Sequence, residues 1–201
     1  DTAIVINNAG GTPEGGLIVA PTDKAAADRL LTSLKTFISL GGGQQGIAVR
    51  EETYAGTTIT IVDAGDLAKM TGGGSVDLPP GLTLPSGHLE IAIAVTDDVV
   101  VIGSSPAFVK HVLDTTSSSS LASTDGYKQL SDRAGKGTGA TYIDVATIRE
   151  MVEKAMASGD PASFAKYQTD VQPFLKPFDA MLLASSVSGD LTKSVFIVTV
   201  K

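Results

Sequence analysis

The arrangement nearest to a catalytic motif in this chain is Ser163-Phe164-Ala165-Lys166. In serine acyl enzymes a lysine one helical turn from a serine takes up its hydroxyl proton and makes it a nucleophile. Ser131-Asp132-Arg133 and Lys136-Gly137-Thr138-Gly139 approximate the two further boxes such enzymes carry. Both precede the Ser-x-x-Lys instead of following it, and neither is complete. Phe164 and Tyr167 read as core residues around the serine, so the segment reads as an ordinary helix.

The other candidates also fall short. Gly135, Gly137 and Gly139 would suit a phosphate-cradling loop, but such a loop follows a strand and opens a helix. Here the glycines follow a helix and lead into a strand, as a plain turn would. A Ser-His-acid triad needs a histidine, and only His88 and His111 exist. No Gly-x-Ser-x-Gly elbow accompanies them. The histidines are not four residues apart, His88-Leu89-Glu90 lacks the cysteines of a deaminase, and Asp63 with Asp66 fits no calcium loop. Asp97 and Asp98 form the obvious carboxylate pair for glycoside chemistry, yet they read better as turn residues. The chain also has no Trp, four Tyr and six Phe, few aromatics for stacking on sugars. No catalytic, cofactor-binding or metal-ligating residue is therefore assigned, and an enzyme is not expected. Replacement of His88 or His111 is expected to leave the fold and any binding nearly intact.

The elements that would position these residues follow from periodicity. Ala3 to Ile6 and Leu17 to Ala20 read as short strands, and Thr22 is a plausible cap for a helix from Asp23 to Leu40. Its apolar positions Ala26, Leu30, Leu34, Phe37 and Ile38 recur at three and four, which predicts that Leu34 and Phe37 are buried. Ile47 to Tyr54 and Thr57 to Val62 form a hairpin about Gly56, and Leu89 to Thr96 with Val99 to Gly103 form another about Asp97-Asp98. Between them Gly72 to Gly87 reads as a long irregular connection, better suited to crossing between halves of a domain than to binding phosphate or metal. Ser105-Pro106 opens a helix with Phe108, Val109, Val112 and Leu113 inward. Ser117 to Ser120 is a low-complexity break. A short helix over Tyr127 to Ala134, a strand over Ala140 to Val145, helices at Ile148 to Met156 and from Asp160-Pro161, and a terminal hairpin turning at Gly189-Asp190 complete the chain.

Hairpins mixed with helices predict an α+β fold, with a largely antiparallel sheet and helices packed on one face. Leu17-Ile18-Val19-Ala20 before the Asp23 helix echoes Val99-Val100-Val101-Ile102 before the Pro106 helix, a possible strand–helix duplication. No polar or charged linker divides the 201 residues, so residues 1–201 read as a single domain.

With 42% hydrophobic and 18% charged residues, disorder is not expected. A net charge of −7 and a pI near 4.7, without a Lys/Arg cluster, argue against nucleic acid and anionic lipid surfaces. The absence of cysteine rules out disulfides, thiolate metal sites and a thiol nucleophile. No apolar run approaches the roughly 20 residues that span a bilayer.

At the second hairpin, Ala94-Val95-Thr96-Asp97-Asp98-Val99-Val100-Val101-Ile102-Gly103-Ser104-Ser105-Pro106 resembles an uncharacterised family of bacterial exported proteins, domain of unknown function 3352. The likeness continues through Leu121, Ala122 and Tyr127 to Tyr142-Ile143-Asp144, and includes Gly16 to Leu34 and Tyr54-Ala55-Gly56-Thr57. The resemblance implies a longer parent, anchored or exported through an N-terminal segment, of which this chain is the carboxy-terminal portion. It implies no activity and no cofactor. The expected function is thus a non-enzymatic extracytoplasmic module for binding or envelope structure, its partner unknown, with a protein or a hydrophobic small molecule as the candidates. The alternative is a carrier for a hydrophobic, lipid-like ligand held between sheet and helices, where Ala92 and Ala94 would leave room.

Overall fold

The computed structural model describes residues 1–7, 14–41, 47–66, 88–135 and 137–201. The expected irregular connection over residues 72–87 lies outside them. The fold is α+β with antiparallel sheets. Where the sequence reads as one domain, the chain divides into two compact units, Asp1–Asp114 and Thr115–Lys201, with the boundary just before the Ser/Thr-rich break.

The first unit contains strands β1 (Thr2–Asn7), β2 (Glu14–Val19), β3 (Ala48–Tyr54), β4 (Thr57–Asp66), β5 (His88–Val95) and β6 (Val100–Gly103), with helices α1 (Lys24–Gly41) and α2 (Pro106–Asp114). The strands form one sheet in the order β1-β2-β6-β5-β4-β3, and every neighbouring pair is antiparallel. The turns obey local chemistry. Ala55 and Gly56 both take positive φ, 48° and 82°, as a two-residue hairpin of this twist requires. The Asp97-Asp98 turn is closed by Thr96, whose Oγ1 accepts from the amides of Asp98 and Val99. α1 is capped by Asp23 rather than Thr22, because the Asp23 carboxylate accepts from the Ala26 amide at 3.0 Å. Ser105 caps α2 by accepting from the Phe108 amide.

The two helices take opposite faces of this sheet instead of sharing one. Glu51 and Glu52 are consecutive on β3, so their side chains leave opposite faces. Glu51 pairs with Lys35 of α1, and Glu52 pairs with Lys110 of α2. Under α2 lies the larger core, in which Ile59, Ile61, Ala92, Ala94 and Val101 meet Phe108 and Val109. Gly16 and Gly103 make that contact possible. A Cβ on Gly103 would lie 2.6 Å from the Phe108 ring, and one on Gly16 would collide with the ring and with the Ile102 carbonyl. Phe108 therefore fills the room expected over Ala92 and Ala94.

On the other face α1 packs against β3 and β5, and Thr60 and Ile93 are buried there. The orientation of α1 corrects the sequence reading. Leu34 is 38% exposed and Phe37 76% exposed, while Ala27, Leu31, Lys35 and Ile38 are the partly buried positions. The helix carries two adjoining apolar stripes, and the one at Leu30, Leu34 and Phe37 is not the one that faces the sheet. The echo between β2–α1 and β6–α2 has a structural counterpart. β2 and β6 are antiparallel neighbours, and Val19 stands on the α1 face as Val101 stands on the α2 face.

The second unit contains helices α3 (Asp125–Ala134), α4 (Val145–Ala157), α5 (Pro161–Asp170) and α6 (Gln172–Leu175), with strands β7 (Gly139–Asp144), β8 (Phe178–Ser188) and β9 (Leu191–Val200). The strands form a separate antiparallel sheet in that order. Leu130 of α3 is buried against Ala180, Leu182 and Ala184 of β8. Caps come from Asp144 for α4 and from Asp160 for α5, the latter with Pro161 in the first turn.

Candidate functional site

The structure places several of the candidate residues in caps and turns. Ser163 Oγ donates to the Asp160 carboxylate at 2.7 Å, so its proton is directed to the cap of α5 and away from Lys166. That bond, with the amides of Ser163 and Ala162, holds the Asp160 pKa below its usual value. Gly135 ends α3 with φ 78°, and Thr138 ties the turn to Ser185 through its amide and hydroxyl. A pocket of about 270 Å³ opens beside it, lined by Tyr127, Ser131, Gly137, Thr138 and Leu182 among others. It sits at the carboxyl end of α3, where the helix dipole disfavours an anion. Asp97 and Asp98 are turn residues, and Asp63 accepts from the Gly65 amide. Among the described residues no three His, Asp or Glu side chains converge as metal ligands. The side chain of His88 lies outside the described residues.

A polar cluster fastens α2 to the sheet. Lys110, paired with Glu52, stands 5.4 Å from the centre of the Tyr54 ring. Tyr54 donates its hydroxyl to Asp114 at 2.7 Å; that bond, helped by desolvation, raises its pKa, so Tyr54 is no ready source of a phenolate. On the same helix His111 Nδ1 lies 3.2 Å from the carboxylate of Glu14, which is only 8% exposed. This changes the expectation for His111. His111→Ala leaves the Glu14 carboxylate without that partner in a largely desolvated position, at an expected cost of about 1 to 3 kcal/mol. A urea midpoint unchanged by the substitution would show the pair to be inert.

Among the described residues a set of exposed apolar side chains is also present. At about 100° per residue, Leu34 and Lys35 lie on opposite sides of the inward line of α1. Lys35 reaches β3, so the side bearing Leu30, Leu34 and Phe37 looks toward β6, β2 and β1. Register places Ile4 opposite Leu17 and Leu17 opposite Ile102, all on the α1 face. Leu30 is 73% exposed, Ile4 80%, Ile6 81% and Ile102 36%. The helix side and the open sheet face thus form two walls of an apolar trough. Single exposed apolar residues are ordinary, whereas a contiguous set of this kind marks a binding surface. Sequence periodicity had selected these α1 residues but assigned them to the core. The signal that separates the readings is the width of the stripe, because one sheet contact cannot cover both Leu31–Ile38 and Leu30–Phe37.

No helix among the described residues is long and apolar enough to cross a membrane. No curated protein and no solved structure matches the chain. A family model described as "Protein of unknown function (DUF3352)" matches residues 2–172, which include all but the first residue of the first unit and the second as far as the start of α6.

Proposed function

The chain belongs to that family, and we propose that it is a non-enzymatic extracytoplasmic binding module whose trough beside α1 receives an apolar segment of a protein partner. The observation that carries this reading is the exposure of Leu30 and Phe37 on one side of α1 and of Ile4 and Ile6 on the same face of the sheet. An open trough favours a polypeptide over a lipid. Small ligands need 70–90% of their surface enclosed, and the space between sheet and α2 is filled by Phe108. The extracytoplasmic placement draws on the likeness to exported proteins, and fractionation of host cells tests it.

The binding reading is tested on protein purified from its own host, comparing the native chain with a Leu30→Ser/Phe37→Ser variant. Each exposed apolar side chain that becomes buried contributes roughly 1.5 to 3 kcal/mol, so the double variant is expected to weaken a partner at least about tenfold without lowering the denaturation midpoint. Native mass spectrometry reads the bound species. A partner retained equally by both forms would overturn the assignment of the trough, and a co-purifying lipid mass would support the carrier instead.

A further inference from the structure

We propose that β1 is a self-association edge, at which a second copy of this chain adds its own β1 antiparallel and joins two six-stranded sheets. The inference rests on the backbone of β1 and stands independently of the trough's occupant.

Among the described residues the two sheets have four edge strands, β1, β3, β7 and β9. An open edge invites a further strand, and proteins ordinarily guard edges with charge or proline. β3 carries Arg50, Glu51 and Glu52, β7 carries Asp144 and β9 carries Lys193. β1, with the sequence TAIVIN, carries no charged residue and no proline. Its neighbour β2 has Glu14 as its one charge, and that carboxylate is buried against His111. In a chain of net charge −7 this is the edge on which two copies meet without bringing charged side chains together.

The hydrogen-bonding pattern fixes how they would meet. The Ala20 amide donates to the Asp1 carbonyl, and the register pairs Thr2 with Val19 and Asn7 with Glu14. Hydrogen-bonded pairs alternate along an antiparallel ladder, so Ala3, Val5 and Asn7 direct their backbone groups to β2. Thr2, Ile4 and Ile6 direct theirs outward. A two-fold axis through Ile4 then pairs Ile4 with Ile4 and Thr2 with Ile6 of the second copy, and all three outward residues are satisfied symmetrically. The same register sets Ile4 beside Ile4 on the α1 face, where each is 80% exposed. A six-residue edge buries less than the roughly 1,200 Å² of a standard interface, so the dimer is weak, with Kd on the order of 0.1 mM.

Sedimentation equilibrium of the full chain up to about 1 mM, ten times that Kd, reads this directly. The native chain is expected to show a reversible monomer–dimer equilibrium, and Ile4→Pro to weaken it at least tenfold. The Ile4 amide points away from β2, so proline blocks the outer edge while leaving the β1–β2 ladder in place. An unchanged circular dichroism spectrum and thermal midpoint check that. If Ile4→Pro unfolds β1, Ile4→Cys decides the matter. The chain has no other cysteine, and Cα atoms of a directly opposed hydrogen-bonded pair lie about 5.5 Å apart, within disulfide reach. Under mild oxidation Ile4→Cys is expected to cross-link at least tenfold faster than Asp97→Cys, a position 94% exposed in a turn. A monomer at all concentrations, a dimer that survives Ile4→Pro in a folded protein, or equal cross-linking rates would overturn the proposal.

Discussion

Replacing Phe108 with alanine is expected to destabilise the unit Asp1–Asp114 by about 3 to 5 kcal/mol, the range for truncating a fully buried phenylalanine. The ring lies against the main chain of Gly16 and Gly103 on adjacent strands, and neither glycine has a side chain that can move in to fill the void. Its core partners Ile59, Ile61, Ala92, Ala94 and Val101 come from β4, β5 and β6, so the loss loosens the centre of the sheet. Hydrogen exchange followed by mass spectrometry is the suitable measurement, because it separates the units. Amides of β4, β5 and β6 are expected to lose protection while those of β8, which close on Leu130 in their own core, keep theirs. Equal loss in β8 would mean that residues 1–201 unfold as one cooperative domain, as the sequence reading had it. Gly103→Ala is expected to destabilise the same strands, and combining it with Phe108→Leu should cost less than the two changes summed, since the smaller side chain gives the new methyl room.

The local elements were legible because each rests on short-range chemistry. Ala55-Gly56, Asp97-Asp98 and Gly189-Asp190 mark their hairpins by turn propensity, and Ser105-Pro106 and Asp160-Pro161 mark helix starts by caps. The helix over residues 24–41 and its apolar content were visible for the same reason. Its orientation was not, because Leu30, Leu31, Leu34, Phe37 and Ile38 supply two stripes, and only packing on the distant strands β3 and β5 decides which turns inward. Face assignment failed for a related reason. Glu51 and Glu52 are indistinguishable as residues, yet one faces α1 and the other α2. The exposed trough was hidden in the same ambiguity, and the role of His111 depended on Glu14, 97 residues away. The open edge at β1 is readable from composition only once the strand order shows that β1 lies outside.

Arg149→Ala is expected to destabilise the second unit by about 2 to 4 kcal/mol, the scale of charge-assisted bonds lost from a mostly buried guanidinium. Arg149 is 15% exposed and lies within ion-pair distance of Glu153 on the same helix, with Nε 3.7 Å from the carboxylate. Its Nη1 donates to the carbonyls of Leu175, Lys176 and Phe178 at 3.1 to 3.2 Å. These carbonyls form the turn between α6 and β8, so one side chain of α4 fixes where β8 begins. Glu153 in turn accepts from the Tyr167 hydroxyl and from Gln172, binding α5 and α6 to the same centre; burial first, and Glu153 next, hold the Tyr167 pKa up. Removing the guanidinium leaves three carbonyls and a carboxylate short of a donor together, which is why the effect exceeds that of a single surface ion pair. Arg149→Lys is expected to recover less than half of the loss, because a single ammonium at the end of a flexible stem cannot span the turn and Glu153 at once. Urea unfolding of the two variants, at constant m-value, measures both quantities. Lysine as stable as arginine would mean that charge alone matters there, and a neutral alanine would mean that the α6–β8 turn is held by its own backbone, with α4 resting on it by apolar contact.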